Sequence, residues 1–178
     1  MSKNLPLDLC RDVMVTEAIK AGMDYIFFLD SDTHPLDRDM ILKLVAMDVD
    51  IASGLYFAKK EGPKYPAAWQ KIGEGRWSPI KADNKGIVSV DAVGMGCCLI
   101  KIEVFKKLAP PWYYWTHSRI NPKTGVFFEE KEAMSEDFHF CNKARAAGYE
   151  IFVNMDLKCK HEGSFYVDCE GKLELVEV

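Results

Sequence analysis

Asp24-Tyr25-Ile26-Phe27-Phe28-Leu29-Asp30-Ser31-Asp32 is the stretch that decides how the chain folds. Its unbroken run of aromatic and branched apolar residues is too short for a buried helix and reads as a strand covered on both faces. The polar exit at Asp30-Ser31-Asp32 then marks the open end of a sheet. In an extended segment residues two apart project to the same side, so both carboxylates can address one point beyond the strand. In front of this strand, Leu9 to Ala21 carries Val13, Val15, Ala18 and Ile19 at roughly helical spacing, with Asp8 as a candidate cap and Gly22 where a helix stops. Behind it, a helix from about Asp37 to Met47 and a second apolar strand from about Asp50 to Tyr56 complete a β-α-β unit with a predicted parallel pair.

Beyond Phe57 the texture changes. Lys59 to Pro66 is a loop by its Gly and Pro content, and short strands follow around Ala67 to Ile72, Trp77 to Ile80 and Ile87 to Val93, expected as antiparallel hairpins on the parallel sheet. Gly94-Met95-Gly96 precedes a further strand to Lys101, a short helix from about Glu103 to Leu108 and the aromatic run Pro110-Pro111-Trp112-Tyr113-Tyr114-Trp115. Ser118 to Glu132 shows little periodicity and reads as a mobile loop. A helix runs from a Ser135 cap to Ala147 with Gly148 behind it, followed by a strand from Glu150 to Asn154 and the polar segment Lys158 to Gly163.

A length of 178 residues with 48% apolar content suits one compact domain over residues 1–178. The net charge of -4 and lysines scattered along the chain argue against nucleic acid as a partner. No apolar run reaches membrane-span length and no signal-peptide pattern opens the chain, so the expectation is a cytoplasmic protein without a transmembrane segment. The six cysteines form no CxxC pair and lie mostly in apolar segments, as reduced thiols packed like small hydrophobes. Cys159 and His161 stand two apart, but a zinc site needs four ligands and no second pair is visible.

Asp30 and Asp32, with Ser31 between them, form an oxygen-rich site suited to Mn²⁺ or Mg²⁺ shared with phosphate oxygens; the plain alternative is an Asx turn closing a strand. Glu136 and Asp137 open a helix, where acids complement the helix dipole, or one of them serves as a general base. His161, flanked by polar residues, is a candidate ligand. Gly94 and Gly96 let the backbone approach either a bound sugar or a packed neighbour. The Trp112 to Trp115 run is either a sugar-stacking platform or a core plug.

In this order the segments resemble the GT-A glycosyltransferases, particularly family-2-like enzymes: Tyr25 to Asp32, Asp50-Ile51-Ala52-Ser53-Gly54-Leu55-Tyr56, Val93 to Ile100, Ser135-Glu136-Asp137-Phe138-His139-Phe140-Cys141, Ala147 to Val153, and His161. The resemblance spans about Leu9 to Gly163 and implies an α/β GT-A mixed sheet, mostly parallel, flanked by helices. It implies further that Asp30 and Asp32 match the family's D-x-D, holding Mn²⁺ or Mg²⁺ against the diphosphate of a UDP- or GDP-sugar, with His161 completing the metal shell. Asp137 matches the catalytic base of inverting members and Glu136 its neighbouring acid. Gly94, Met95 and Gly96 match the loop beside the donor sugar, and Arg11 a polar helix residue facing the donor. The implied activity is transfer of a sugar to an acceptor hydroxyl. The family pattern opens with a strand, helix and strand that Met1 to Leu5 is too short to supply, which admits a fragment of a larger protein, a minimal enzyme, or one that borrows a partner's surface, a homo-oligomer included. A non-catalytic binding or assembly module is the principal rival; a nucleotidyltransferase is the other, and it lacks its usual Gly-rich basic loop here.

Overall fold

The computed structural model describes residues 5–59, 64–116 and 134–163, and the backbone of 165–167 and 173–175. The loop expected from Ser118 to Glu132 lies outside the described residues.

Helix α1 (Leu7–Lys20) leads into strand β1 (Tyr25–Leu29), followed by β2 (Thr33–Pro35), α2 (Met40–Ala46) and β3 (Ile51–Leu55). The hairpin strands β4 (Ala68–Gly73), β5 (Arg76–Pro79), β6 (Ile87–Val90) and β7 (Ala92–Val93) come next, then β8 (Cys97–Lys101) and α3 (Ile102–Lys107). Helix α4 (Glu136–Ala146), the long β9 (Ile151–His161), β10 (Phe165–Val167) and β11 (Leu173–Leu175) complete the order. Asp8 is not the cap of α1: Pro6 holds the N-cap position, and the Asp8 carboxylate lies inside the first turn, where it accepts from the Trp115 N–H at 3.1 Å.

The main sheet runs β1-β8-β3-β9-β10-β11, with β2 and β6 also paired to β9. It is not mostly parallel. Among the described pairings of this sheet only β3–β9 is parallel, whereas β8 lies antiparallel to both β1 and β3. β1 and β3 do point the same way, as a helical crossover requires, but β8 inserts between them. The pattern of apolar residues reports that a strand is buried and says nothing about which strand lies next to it. The hairpin segment also divides: β5-β4-β7 form a separate three-stranded sheet, while β6 joins β9.

Alternation sorts the strands onto two apolar layers. Phe28, Ile51, Cys98, Ile100, Ile151 and Val153 face one layer with Val15 of α1, Phe105 of α3 and Phe140 of α4. Ala52, Tyr56, Cys97, Leu99, Leu157 and Cys159 face the other, covered by Met40 and Leu44 of α2. The result is a mixed sheet flanked by helices. Strand β9 changes layer along its length because its register with β3 jumps from Gly54↔Asn154 to Leu55↔Lys158, inserting Met155, Asp156 and Leu157. The strand expected to stop near Asn154 therefore continues, and the insertion brings its far end, with Cys159 and His161, to the layer that contains Tyr56.

The aromatic run is mostly a core plug. Trp112 and Tyr113 are buried, the Trp112 indole donating to the Phe105 and Leu108 carbonyls and the Tyr113 ring stacking on Phe140. Of the run's four aromatic residues Trp115 is exposed and Tyr114 half-buried. No helix among the described residues is long and apolar enough to cross a membrane.

Candidate functional site

Strand β1 ends at Leu29, and the Thr33 N–H donates to the Asp30 carbonyl at 3.0 Å, so Asp30 to Thr33 form a turn rather than an extended exit. The same-side rule for strand residues does not apply there, and the two carboxylates find different partners. Asp30 accepts from Arg11 Nη2 at 3.3 Å. Asp32 accepts from Lys59 Nζ at 2.5 Å through Oδ2, while its Oδ1 lies 3.6 Å from His161 Nε2. Burial by itself would raise the Asp32 carboxyl, but the hydrogen bond and charge of Lys59 outweigh it and hold the group below its ordinary value. Ser31, between the two, is exposed.

Arg11 is the hub of a second cluster. Its guanidinium is 4% exposed, over the Phe28 ring, with Nε 3.4 Å from Glu136 Oε1. That approach is a charge contact without hydrogen-bond geometry, which leaves Arg11 Nε buried without a hydrogen-bond partner; the other oxygen, Glu136 Oε2, is also buried without one. Burial, then the neighbouring Asp137 charge, push the Glu136 carboxyl up. The Asp137 carboxyl is also raised, again chiefly by burial. Its Oδ1 accepts from the Ser135 hydroxyl and from the Phe138 N–H at 2.8 Å. Ser135 occupies the N-cap position of α4 as expected, but its hydroxyl holds the base candidate and makes no cap bond to the backbone, and Oδ2 is left facing Gly94, 3.7 Å from where a Cβ on that glycine would sit.

Gly94 and Gly96 make room for Tyr56. A Cβ at Gly94 would collide with the Tyr56 hydroxyl, and one at Gly96 would lie 2.8 Å from Tyr56 Cζ and 3.0 Å from Thr33 Oγ1. The Gly96 N–H donates to the Tyr56 hydroxyl at 3.0 Å, and the Gly96 carbonyl accepts from the Asp30 N–H at 3.1 Å. Between the two open readings of these glycines, the packed neighbour is present. The Met95 side chain turns away into the core, where its sulfur accepts from the Tyr113 hydroxyl at 3.5 Å; only its backbone remains on the site side. Thr33 Oγ1 is a further buried polar atom without a partner. Tyr56, Lys59 and Thr33 are site residues that sequence reasoning missed. Tyr56 and Lys59 lie past the end of β3 and Thr33 opens the short β2, positions that carry no mark of their own.

His161 stands edge-on to Tyr56, and its Nδ1 lies 2.7 Å from the Phe57 carbonyl. A hydrogen on Nδ1 satisfies that carbonyl and leaves the Nε2 lone pair facing Asp32, the arrangement a metal-ligating imidazole needs. Burial keeps its pKa below the ordinary value, favouring the neutral ring. Among the described residues no group of three or more His, Cys, Asp or Glu side chains is set to hold a metal ion. Asp32 and His161 are two potential ligands and do not form a closed protein cage. Cys159, two residues from His161, instead packs beside Cys97 in the apolar layer.

Comparison with known proteins reaches the fold. No protein-family model matches the chain, and no curated protein matches it. Among solved structures, the crystal structure of A197 from STIV is similar, with a TM-score of 0.70 at 18% identity, covering 100% of this chain and 80% of that one. The likeness to A197 is one of fold. The shared architecture is the mixed sheet flanked by helices. A fold at this distance does not carry a reaction with it.

Proposed function

We propose that this chain is a glycosyltransferase of the GT-A type that moves a sugar from a UDP- or GDP-sugar to an acceptor hydroxyl with inversion. One observation carries the reading: two acids at the start of α4 each keep a carboxylate oxygen uncommitted, Glu136 Oε2 buried without a partner and Asp137 Oδ2 facing Gly94. Buried polar atoms without partners are rare and call for an explanation, and a ligand hydroxyl is one. Asp137, oriented by Ser135 and the Phe138 N–H and raised by burial, takes the proton of the acceptor hydroxyl. The acceptor oxygen forms its bond to the anomeric carbon as the bond to the diphosphate breaks and the nucleoside diphosphate leaves. A Mn²⁺ or Mg²⁺ ion held by Asp32 and His161 would supply positive charge against the departing diphosphate. Arg11, through Asp30, fixes the edge of this region nearest the donor.

A second reading is a GT-A-like module that binds or assembles without turnover. It is favoured by the pairing already present at both aspartates, Asp30 with Arg11 and Asp32 with Lys59, and by the lack of a three-ligand metal group among the described residues. For the metal in particular, these observations lean toward this second reading.

Calorimetric titration of UDP, GDP and their sugar conjugates, with and without Mn²⁺, separates the two. Metal-dependent binding that Asp32→Ala abolishes supports the transferase. A folded protein that binds none of them is the module.

A further inference from the structure

Lys59 leaves the sheet just past β3, and its backbone is well anchored. Phe57 bridges to Pro66 in antiparallel fashion, and the Ala58 N–H donates to the Tyr65 carbonyl at 3.0 Å. The same Phe57 carbonyl orients His161. Two residues further on, the ammonium of Lys59 lies 2.5 Å from Asp32 Oδ2, with the lysine side chain 30% exposed and the aspartate 42% exposed. His161 Nε2 sits near the other oxygen. One oxygen of the carboxylate that faces a metal-competent imidazole is thus occupied by a full positive charge, and the other lies beside the imidazole without a hydrogen bond from it.

We propose that Lys59 is a built-in counter-cation that closes Asp32 in the ligand-free protein and competes with a divalent ion for its Oδ2 oxygen. The proposal rests on the reading of Asp32 and His161 as a cation site. An ammonium and a dication crowded onto one carboxylate oxygen repel each other, so each lowers the affinity of the other for that oxygen. Entry of the ion therefore favours Lys59 swinging out. Lysine suits that exchange, being a compact point charge on a flexible stem, where an arginine would clamp the carboxylate with two parallel bonds. The released ammonium stays within a side-chain's reach of Asp32 and becomes a phosphate donor, so a diphosphate favours the exchanged state. A dication without phosphate meets the closed state. The lysine makes the site selective for a metal–diphosphate pair over free metal.

The test is Mn²⁺ binding to the full chain, read from the electron paramagnetic resonance signal of free Mn²⁺, for the native protein, Lys59→Met, Lys59→Gln, Lys59→Arg and Asp32→Asn. Removing the charge of a partly exposed pair is expected to tighten Mn²⁺ by about tenfold in both the Met and Gln variants. Lys59→Arg keeps the charge and does not tighten it, and Asp32→Asn loses the ion. Mn²⁺ binding by the Met and Gln variants with none by the native chain would support the proposal most strongly. Equal affinity in the native, Met and Gln proteins, abolished by Asp32→Asn, overturns the counter-cation and leaves the cation site standing. Absence of binding to every variant, each folded by circular dichroism, overturns both.

Discussion

Arg11 and Glu136 face each other across the junction of α1 and α4, Nε to Oε1 at 3.4 Å, with side chains 5% and 4% exposed. A buried charge of either sign survives only beside its opposite. Replacing Arg11 by Met leaves Glu136 buried and uncompensated, with its neighbour Asp137 adding repulsion. Urea unfolding of Arg11→Met is expected to show a loss of about 3 kcal/mol, and the double variant Arg11→Met/Glu136→Gln is expected to recover a large part of it. Equal losses in the single and double variants would mean that the pair is not coupled.

Asp137→Asn removes the base and keeps the shape. Transfer should fall by roughly 10²- to 10⁴-fold while sugar-nucleotide affinity is retained, as measured by product release and calorimetry. The pH dependence has a definite sign. The folded-state pKa of Asp137 lies above its ordinary value of 3.8, so between the two the folded protein binds more protons than the unfolded chain. Native stability therefore declines as pH rises through that interval, and Asp137→Asn should lack its share of the decline. Because the base must be ionised, the acid limb of the rate profile should lie above the range of an ordinary aspartate.

Gly94→Ala forces a methyl group against the Tyr56 hydroxyl, and overpacking of this kind costs on the order of 1–3 kcal/mol. Tyr56→Phe removes the hydroxyl and leaves the Gly96 N–H without its acceptor. The double variant should be more stable than the sum of the two single losses, since one change relieves the clash the other creates. A thermodynamic cycle from denaturant melts measures this coupling. Strict additivity would show that Gly94 and Tyr56 do not share the space.

Asp12 holds the aromatic plug to α1: its Oδ1 accepts from the Trp112 N–H at 3.1 Å and the Tyr113 N–H at 2.9 Å. Asp12→Ala strands both donors and is expected to cost about 2 kcal/mol. Amide hydrogen exchange should quicken at Trp112 and Tyr113 before it changes in β3 or β8, which distinguishes local release of the plug from global loss of stability.

The elements that were legible in the sequence are those whose signal is local. Tyr25 to Leu29, the helix ending before Gly22 and the helix behind Ser135 all announce themselves by composition, periodicity and a stop residue within a few positions. The insertion of β8 between β1 and β3 was not legible, and neither was the long run of β9 past Asn154, because both depend on partners distant in the chain. At the site, Asp30, Asp32, Glu136, Asp137 and His161 stood out by residue type. Tyr56, Thr33 and Lys59 did not, since a tyrosine or lysine at a strand exit acquires its role only from what lies across from it.

The sequence by itself determined that an apolar strand would end in two aspartates, and that two glycines allow the backbone to come close to a ligand or a packed neighbour. The tertiary structure alone decided the partner of each carboxylate. In an ideal strand Asp30 and Asp32 would point one way, but the Thr33 N–H closes a turn on the Asp30 carbonyl and separates them. Arg11, from the preceding helix, then takes Asp30, while Lys59, from the segment past β3, and His161, at the end of β9, take Asp32. Side-chain direction follows from a residue's own backbone, whereas electrostatic pairing follows from which elements meet in space.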